Sequence, residues 1–148
     1  VFEYGTGGST VFLASRCKDV TSIEEDEAWF ESTKEELDRR GLVNVQPVFA
    51  SADFSTEEAF LASPYFIALP ETPTYDLILI DGQDATGRFR PLCFQRAEKA
   101  IRPGGLIVVD DAWRYPDLLK TAHSRQHTTY RSVGPARKGV TQTDIYRY

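Results

Sequence analysis

The stretch Val1-Phe2-Glu3-Tyr4-Gly5-Thr6-Gly7-Gly8-Ser9-Thr10, VFEYGTGGST, decides how this chain is read. Val1–Tyr4 reads as an apolar strand. The glycines after it make a tight turn, and Ser9 and Thr10 supply the hydroxyls that favour a helix start. Gly5 and Gly7 carry no side chain, so the backbone there can approach a ligand closely. The helix read over Ser9–Arg16 turns unpaired N–H groups toward the same place, which suits a carboxylate or phosphate. The pattern departs from the dinucleotide turn G-x-G-x-x-G, because Thr10 stands where the third glycine belongs. A plain tight strand–helix turn would use the same residues.

Outward from that turn, strand and helix signals alternate. Val20–Glu24 is a second strand, and a carboxylate at its tip can accept hydrogen bonds from both hydroxyls of a ribose. Glu25 and Asp26 read as helix-start charges, and a solvated acidic run is the plain alternative for all three. Asp26 caps a helix to Arg40, stopped by Gly41, with Trp29, Phe30, Thr33 and Leu37 near one face. Val45–Ala50 is a third strand. Ser55 and Glu58 form a capping-box pattern for a short helix to about Ser63, which Pro64 ends. Tyr75–Asp81 is almost wholly apolar, as in a central strand covered on both faces.

Pro91 suits the first turn of a helix reaching Ile101, stopped by Pro103-Gly104-Gly105. Leu106–Asp110 is another buried strand and Pro116–Ser124 a short helix. Thr128–Val133 and Thr143–Tyr148 have no helix between them, only a loop with Gly134-Pro135 and Gly139, so they form an antiparallel pair. The alternation predicts one α/β domain over residues 1–148 with a mainly parallel sheet.

Composition narrows the function. The 148 residues are 41 % hydrophobic and 26 % charged, ordinary for a globular chain. The net charge of −5 implies no basic face, so nucleic acid is not the expected partner. No apolar run is long enough to span a membrane, and there is no signal-peptide pattern. Two cysteines, Cys17 and Cys93, fall in predicted helices and form neither a disulfide framework nor a zinc site. A reduced, cytoplasmic setting is expected. The chain has no methionine and opens inside a strand, which predicts that an N-terminal segment is missing.

Four segments in order, FEYGTGGST, SIEED, YDLILIDG and IRPGGLIVVDD, make the chain resemble the class I S-adenosylmethionine-dependent methyltransferases. The resemblance covers nearly the whole chain. It implies a Rossmann-like, doubly wound sheet of seven strands in the order 3-2-1-4-5-7-6, ending in an antiparallel hairpin. It also implies roles. Glu3, Gly5, Thr6 and Gly7 would surround the methionine part of the cofactor, with Ser9 near its carboxylate. Glu24 would bind the ribose. Ala52 and Asp53 would lie near the adenine. Asp81 and Gly82 would end the fourth strand beside the transferable methyl. A narrower likeness is to small methyltransferase-like proteins with a D-G…R…C pattern followed by D-[DN]…R…Y, here Asp81-Gly82, Arg90, Cys93, Asp110-Asp111, Arg114 and Tyr115. The extra residues Gln83–Gly87 leave both Arg88 and Arg90 as candidates for its first arginine.

With the fourth and fifth strands adjacent, Asp81, Asp110 and Asp111 share one rim. Three carboxylates there could hold Mg²⁺, which prefers oxygen ligands and lowers the pKa of an acceptor hydroxyl. Alternatively Asp81 or Asp110 is a general base, or Asp110 and Asp111 cap backbone at a strand end. Arg88 and Arg90 could clamp an anionic acceptor. Trp113 and Tyr115 could line its pocket or simply pack. His123 and His127 read as surface residues.

The expected function is methyl transfer from S-adenosylmethionine to an O or N nucleophile of a small molecule. The alternatives are a non-catalytic cofactor-binding module of the same fold and a nicotinamide-dependent oxidoreductase. The expected partners are the small-molecule acceptor and further copies of the same chain.

Overall fold

A computed structural model describes residues 1–133 and 139–148. Seven strands form one sheet: β1 (Phe2–Tyr4), β2 (Val20–Glu24), β3 (Val45–Phe49), β4 (Tyr75–Ile80), β5 (Ile101–Val109), β6 (Gln126–Val133) and β7 (Val140–Arg147). Their order is β3-β2-β1-β4-β5-β7-β6. The first five are parallel, and β7 runs antiparallel to both β5 and β6. This is the expected Rossmann-like sheet. Chain order reverses between β1 and β4, and such a switch point opens a crevice at the carboxyl ends of the strands.

The helices are α1 (Gly8–Ala14), α2 (Glu27–Arg39), α3 (Glu57–Leu61), α4 (Pro64–Ile67), α5 (Phe89–Ala100) and α6 (Leu118–Thr121), with one 3-10 turn at Ala112–Arg114. β1 and β4 hold the centre of the core. Phe2, Tyr4, Ile78 and Ile80 are all fully buried, each contributing about 1.5–3 kcal/mol of burial. The Tyr4 ring lies 4.9 Å from Phe2 and 5.2 Å from Tyr65, and its hydroxyl donates to Phe66 O at 2.9 Å.

Several local readings shift. Thr56, not Ser55, caps α3, its hydroxyl accepting from Ala59 N at 3.1 Å. Ser55 is tied into a turn by donating its N–H to Asp53 Oδ1 at 2.9 Å. Pro64 begins α4 rather than merely ending α3, because a helix's first turn needs no N–H there. Pro103-Gly104-Gly105 lies inside β5, where the register against β4 slips between Tyr75 and Leu77. Within α2, Thr33 and Leu37 are buried, whereas Trp29 is 56 % exposed. Tyr115 is packed in the core while Trp113 is 54 % exposed. His123 is a surface residue, but His127 is largely covered, its ring 4.8 Å from Tyr146. Gly134-Pro135 of the expected final loop lies outside the described residues.

Candidate active site

The crevice holds a cavity of about 470 Å³ whose walls include Gly5 and Thr6 after β1, Glu24–Asp26 at the tip of β2, Ala28 and Trp29 of α2, and Asp81–Gln83 after β4. Gly5 is required on two counts. Its φ is +93°, and a Cβ there would stand 3.1 Å from Asp81 C and Gly82 N. The tips of β1 and β4 can meet this closely only without a side chain.

Beneath the turn lies Glu3, fully buried. Its carboxylate accepts from the hydroxyls of Ser9 at 2.5 Å, Thr10 at 2.6 Å and Ser22 at 2.7 Å. Burial raises its pKa, and the three hydroxyls and the nearby Glu24 modify the shift. Glu3 therefore acts on the turn from below, and Ser9 is tied to it there. Gly7 lines an adjoining cavity of about 300 Å³ that Trp29 also borders.

Glu24 is 5 % exposed. Oε2 accepts from Thr6 N at 2.8 Å and Thr6 Oγ1 at 3.0 Å, and Oε1 accepts from Glu25 N at 3.1 Å and Asp26 N at 3.0 Å. Backbone donors thus fix its orientation. The Thr6 hydroxyl has a second acceptor, Thr33 Oγ1 at 3.2 Å. Its one proton can move there and free a lone pair on Glu24 for an incoming hydroxyl. Trp29 borders the cavity and donates from Nε1 to Thr6 O at 2.6 Å.

Asp81 lines the same cavity. Its side chain is 40 % exposed, and protein packs around the rest. That burial raises its pKa to about 6; the Arg90 guanidinium opposes the shift, and Asp110, Glu3 and Asp111 add to it. Arg90 is buried. It donates to Gly82 O at 2.7 Å, Asp110 O at 2.8 Å, Asp81 O at 2.8 Å and Asp81 Oδ1 at 3.0 Å. Arg88 instead reaches Thr86 Oγ1 at 3.4 Å.

Arg90 can reach inward because Asp84 winds the extra loop. The Asp84 carboxylate accepts four backbone N–H bonds, from Gly87, Arg88, Phe89 and Arg90, at 2.7–3.1 Å. That closes the loop and starts α5. Arg114 adds a bond to Asp84 O. Asp84 went unread in the sequence. Its signal was an Asp shortly before an uncapped helix start.

The three rim carboxylates do not converge. Asp81 turns to Arg90, and Asp110 Oδ1 accepts from Thr143 Oγ1 at 2.7 Å. Asp111 is buried in a left-handed turn with φ 50°, its Oδ1 3.4 Å from Trp113 Nε1. Among the described residues no group of three or more His, Cys, Asp or Glu side chains is placed to hold a metal ion. The expectation of Mg²⁺ on Asp81, Asp110 and Asp111 is corrected accordingly: each carboxylate has found a separate protein partner. Ala52 and Asp53 are likewise not among the residues lining the cavity. Ala52 packs against the core, and Asp53 is exposed.

The sequence profile of a methyltransferase-domain family matches residues 2–112, spanning β1 to the 3-10 turn. The chain belongs to that family. The match favours methyl transfer over the nicotinamide chemistry that the glycine turn also allowed. No curated protein matches the chain. Among solved structures, the O-methyltransferase TomG from Streptomyces achromogenes, involved in tomaymycin synthesis and in complex with SAM, is 22 % identical, with a TM-score of 0.72 over 99 % of this chain and 71 % of its own. An O-methyltransferase from Bacillus cereus in complex with SAH is 20 % identical, with a TM-score of 0.71 over 98 % and 72 %. The N-methyltransferase NodS from Bradyrhizobium japonicum, in complex with S-adenosyl-L-homocysteine, is 18 % identical, with a TM-score of 0.62 over 99 % and 76 %. The methyltransferase domain thus has the class I fold.

Proposed function

We propose that this methyltransferase uses S-adenosylmethionine bound in the 470 Å³ cavity and methylates an oxygen or nitrogen nucleophile of a small molecule. The observation that carries the reading is the Glu24 carboxylate at the tip of β2, which lines the cavity and is fixed by the backbone N–H groups of Glu25 and Asp26 and by that of Thr6 in the adjoining turn. A rigid carboxylate there suits a ribose diol, and the volume suits a ligand of nucleoside size. The O-methyltransferases of the same fold, crystallised with SAM or SAH, support the cofactor.

The chemistry such a cofactor brings is a methyl group already activated by a sulfonium. What remains for the chain is alignment and proton handling. Glu24 holds the ribose end. Gly5 brings the β1 and β4 tips together. Asp81, ionised above about pH 6, stands at the end of β4 and takes the proton from the acceptor's hydroxyl or amine. Arg90 is a positioning residue that holds Asp81 by its backbone and its carboxylate. The net charge of −5 supports a small molecule rather than a nucleic acid as acceptor. Among the described residues no helix is long and apolar enough to cross a membrane.

Calorimetry with S-adenosylhomocysteine tests the cofactor, and an untargeted mass-spectrometric screen for methylated products tests the transfer. Absence of binding to the wild type would refute the cofactor assignment.

A further inference from the structure

The two edges of the sheet are built differently. β3 is five residues long, carries Pro47 at its centre and sets the Phe49 ring 5.9 Å from Phe30 of α2. Shortness and proline are common protections of an edge strand against pairing with another chain. β6 has neither. It runs for eight residues and pairs with β7 in an unbroken register from Gln126–Arg147 to Val133–Val140, so no bulge twists the edge away. It contains no proline, lysine or acidic residue. Its one arginine, Arg131, donates from Nε to Gln142 Oε1 of β7 at 3.2 Å. Seven of its residues, all but His127, are exposed.

The hairpin also outruns the sheet. β5 stops at Val109, opposite Asp144. The pairs Tyr130–Thr143, Arg131–Gln142, Ser132–Thr141 and Val133–Val140 lie beyond it as a two-stranded ribbon. Tyr130 is 57 % exposed, Val133 75 % and Val140 67 %. A ribbon of two strands is marginal in water, and further strands stabilise it. We propose that β6 is a homodimer interface, in which the β6 strands of two copies pair antiparallel across a two-fold axis and join the ribbons in the order β7-β6-β6-β7.

A second copy fits this edge for two reasons. The first is symmetry. An antiparallel pair about a two-fold axis uses one patch on both sides. A register centred between Thr129 and Tyr130 employs all eight residues of each strand, with Gln126 opposite Val133. It sets Arg131 opposite Thr128, so no like charges face each other across the pair. The second is charge. The chain carries a net −5, yet β6 has no acidic residue. Two copies therefore meet where their overall repulsion is weakest.

The test is sedimentation velocity of the 148-residue chain, with circular dichroism to check that each variant is folded. The wild type is expected to sediment at twice its chain mass of 16.7 kDa. Thr129→Lys combined with Tyr130→Lys changes two exposed residues and sets lysine against lysine across the axis. It is expected to weaken the dimer by about tenfold or more. Thr129→Glu combined with Tyr130→Glu is expected to do the same. Mixed together, the two variants are expected to associate one to one, because each lysine then faces a glutamate. In the wild type, the β6 amides are expected to exchange more slowly as the dimer fills. A wild type that stays monomeric at about 100 µM overturns the proposal. So do a dimer that both variants leave intact, folded variants that fail to combine on mixing, and β6 amides whose exchange ignores dimer formation.

Discussion

Arg90 Nη2 grips Asp81 at two atoms, the carbonyl at 2.8 Å and carboxylate Oδ1 at 3.0 Å. The same guanidinium holds Gly82 O and Asp110 O. One side chain from α5 therefore joins the tips of β4 and β5. Arg90→Ala leaves three carbonyls and a carboxylate without that donor. It should lower the unfolding free energy by about 3 kcal/mol. Arg90→Lys should recover only part of this, because an ammonium cannot span the same acceptors. Urea denaturation at pH 7 checks the loss. An unchanged midpoint would mean that water replaces the guanidinium without cost.

Asp81 carries a pH signature. Burial, opposed by Arg90, raises its pKa in the folded protein from 3.8 to about 6. A raised carboxylate pKa means that its stabilising contribution is present below about pH 3.8 and is lost as pH rises through about 6. Stability of the wild type relative to Asp81→Asn should therefore fall between those values and then level off. The methyl-transfer rate should rise through the same upper limit if Asp81 accepts the acceptor's proton. A flat stability difference across this range would show that Asp81 is as well solvated in the fold as out of it.

Glu24→Ala removes the proposed ribose ligand. Two charge-assisted hydrogen bonds are worth about 2–4 kcal/mol together, so affinity for S-adenosylhomocysteine should fall by well over tenfold. Glu24→Gln keeps the shape and should fall in the same direction. Calorimetry that finds wild-type affinity in both variants would place the ribose elsewhere.

Trp29 borders the cavity, is 56 % exposed and is hydrogen-bonded to Thr6 O. Cofactor binding beside Thr6 should change its emission. The chain has one other tryptophan, Trp113, on the 3-10 turn. Trp113→Phe should keep the fluorescence change on adding S-adenosylhomocysteine, and Trp29→Phe should abolish it. The opposite pattern would put the ligand at the β5 rim.

Asp84 stabilises the start of α5. Burial alone would raise its pKa, but the N–H groups of Arg90, Gly87, Phe89 and Arg88 outweigh it and hold the pKa below the usual 3.8. Its contribution is therefore present above about pH 3.8 and lost as pH falls through the lower folded value. Asp84→Ala should cost about 2 kcal/mol near neutral pH, at the upper end for a helix cap. The difference from wild type should narrow in acid. Thermal unfolding at pH 7 and pH 3 measures both.

Features set by short stretches of chain were legible in the sequence. The all-apolar run of β4 marked a central strand, and the absence of a helix between β6 and β7 marked an antiparallel pair. A strand end places Glu24 beside the glycine turn whatever lies further along the chain. Those features depend on backbone periodicity and turn chemistry, which act over a few residues. The partners of each carboxylate were decided only in the tertiary structure. Asp81, Asp110 and Asp111 share a rim, but Arg90, Thr143 and the Asp111 turn draw them apart. Glu25 reads as a solvated helix-start charge until β4 brings Gln83 against it. Arg90 turns inward, and Arg88 does not, because Asp84 winds the loop before α5. Each outcome is a competition between donors distant in sequence, and distances of a few tenths of an ångström settle which one a carboxylate takes.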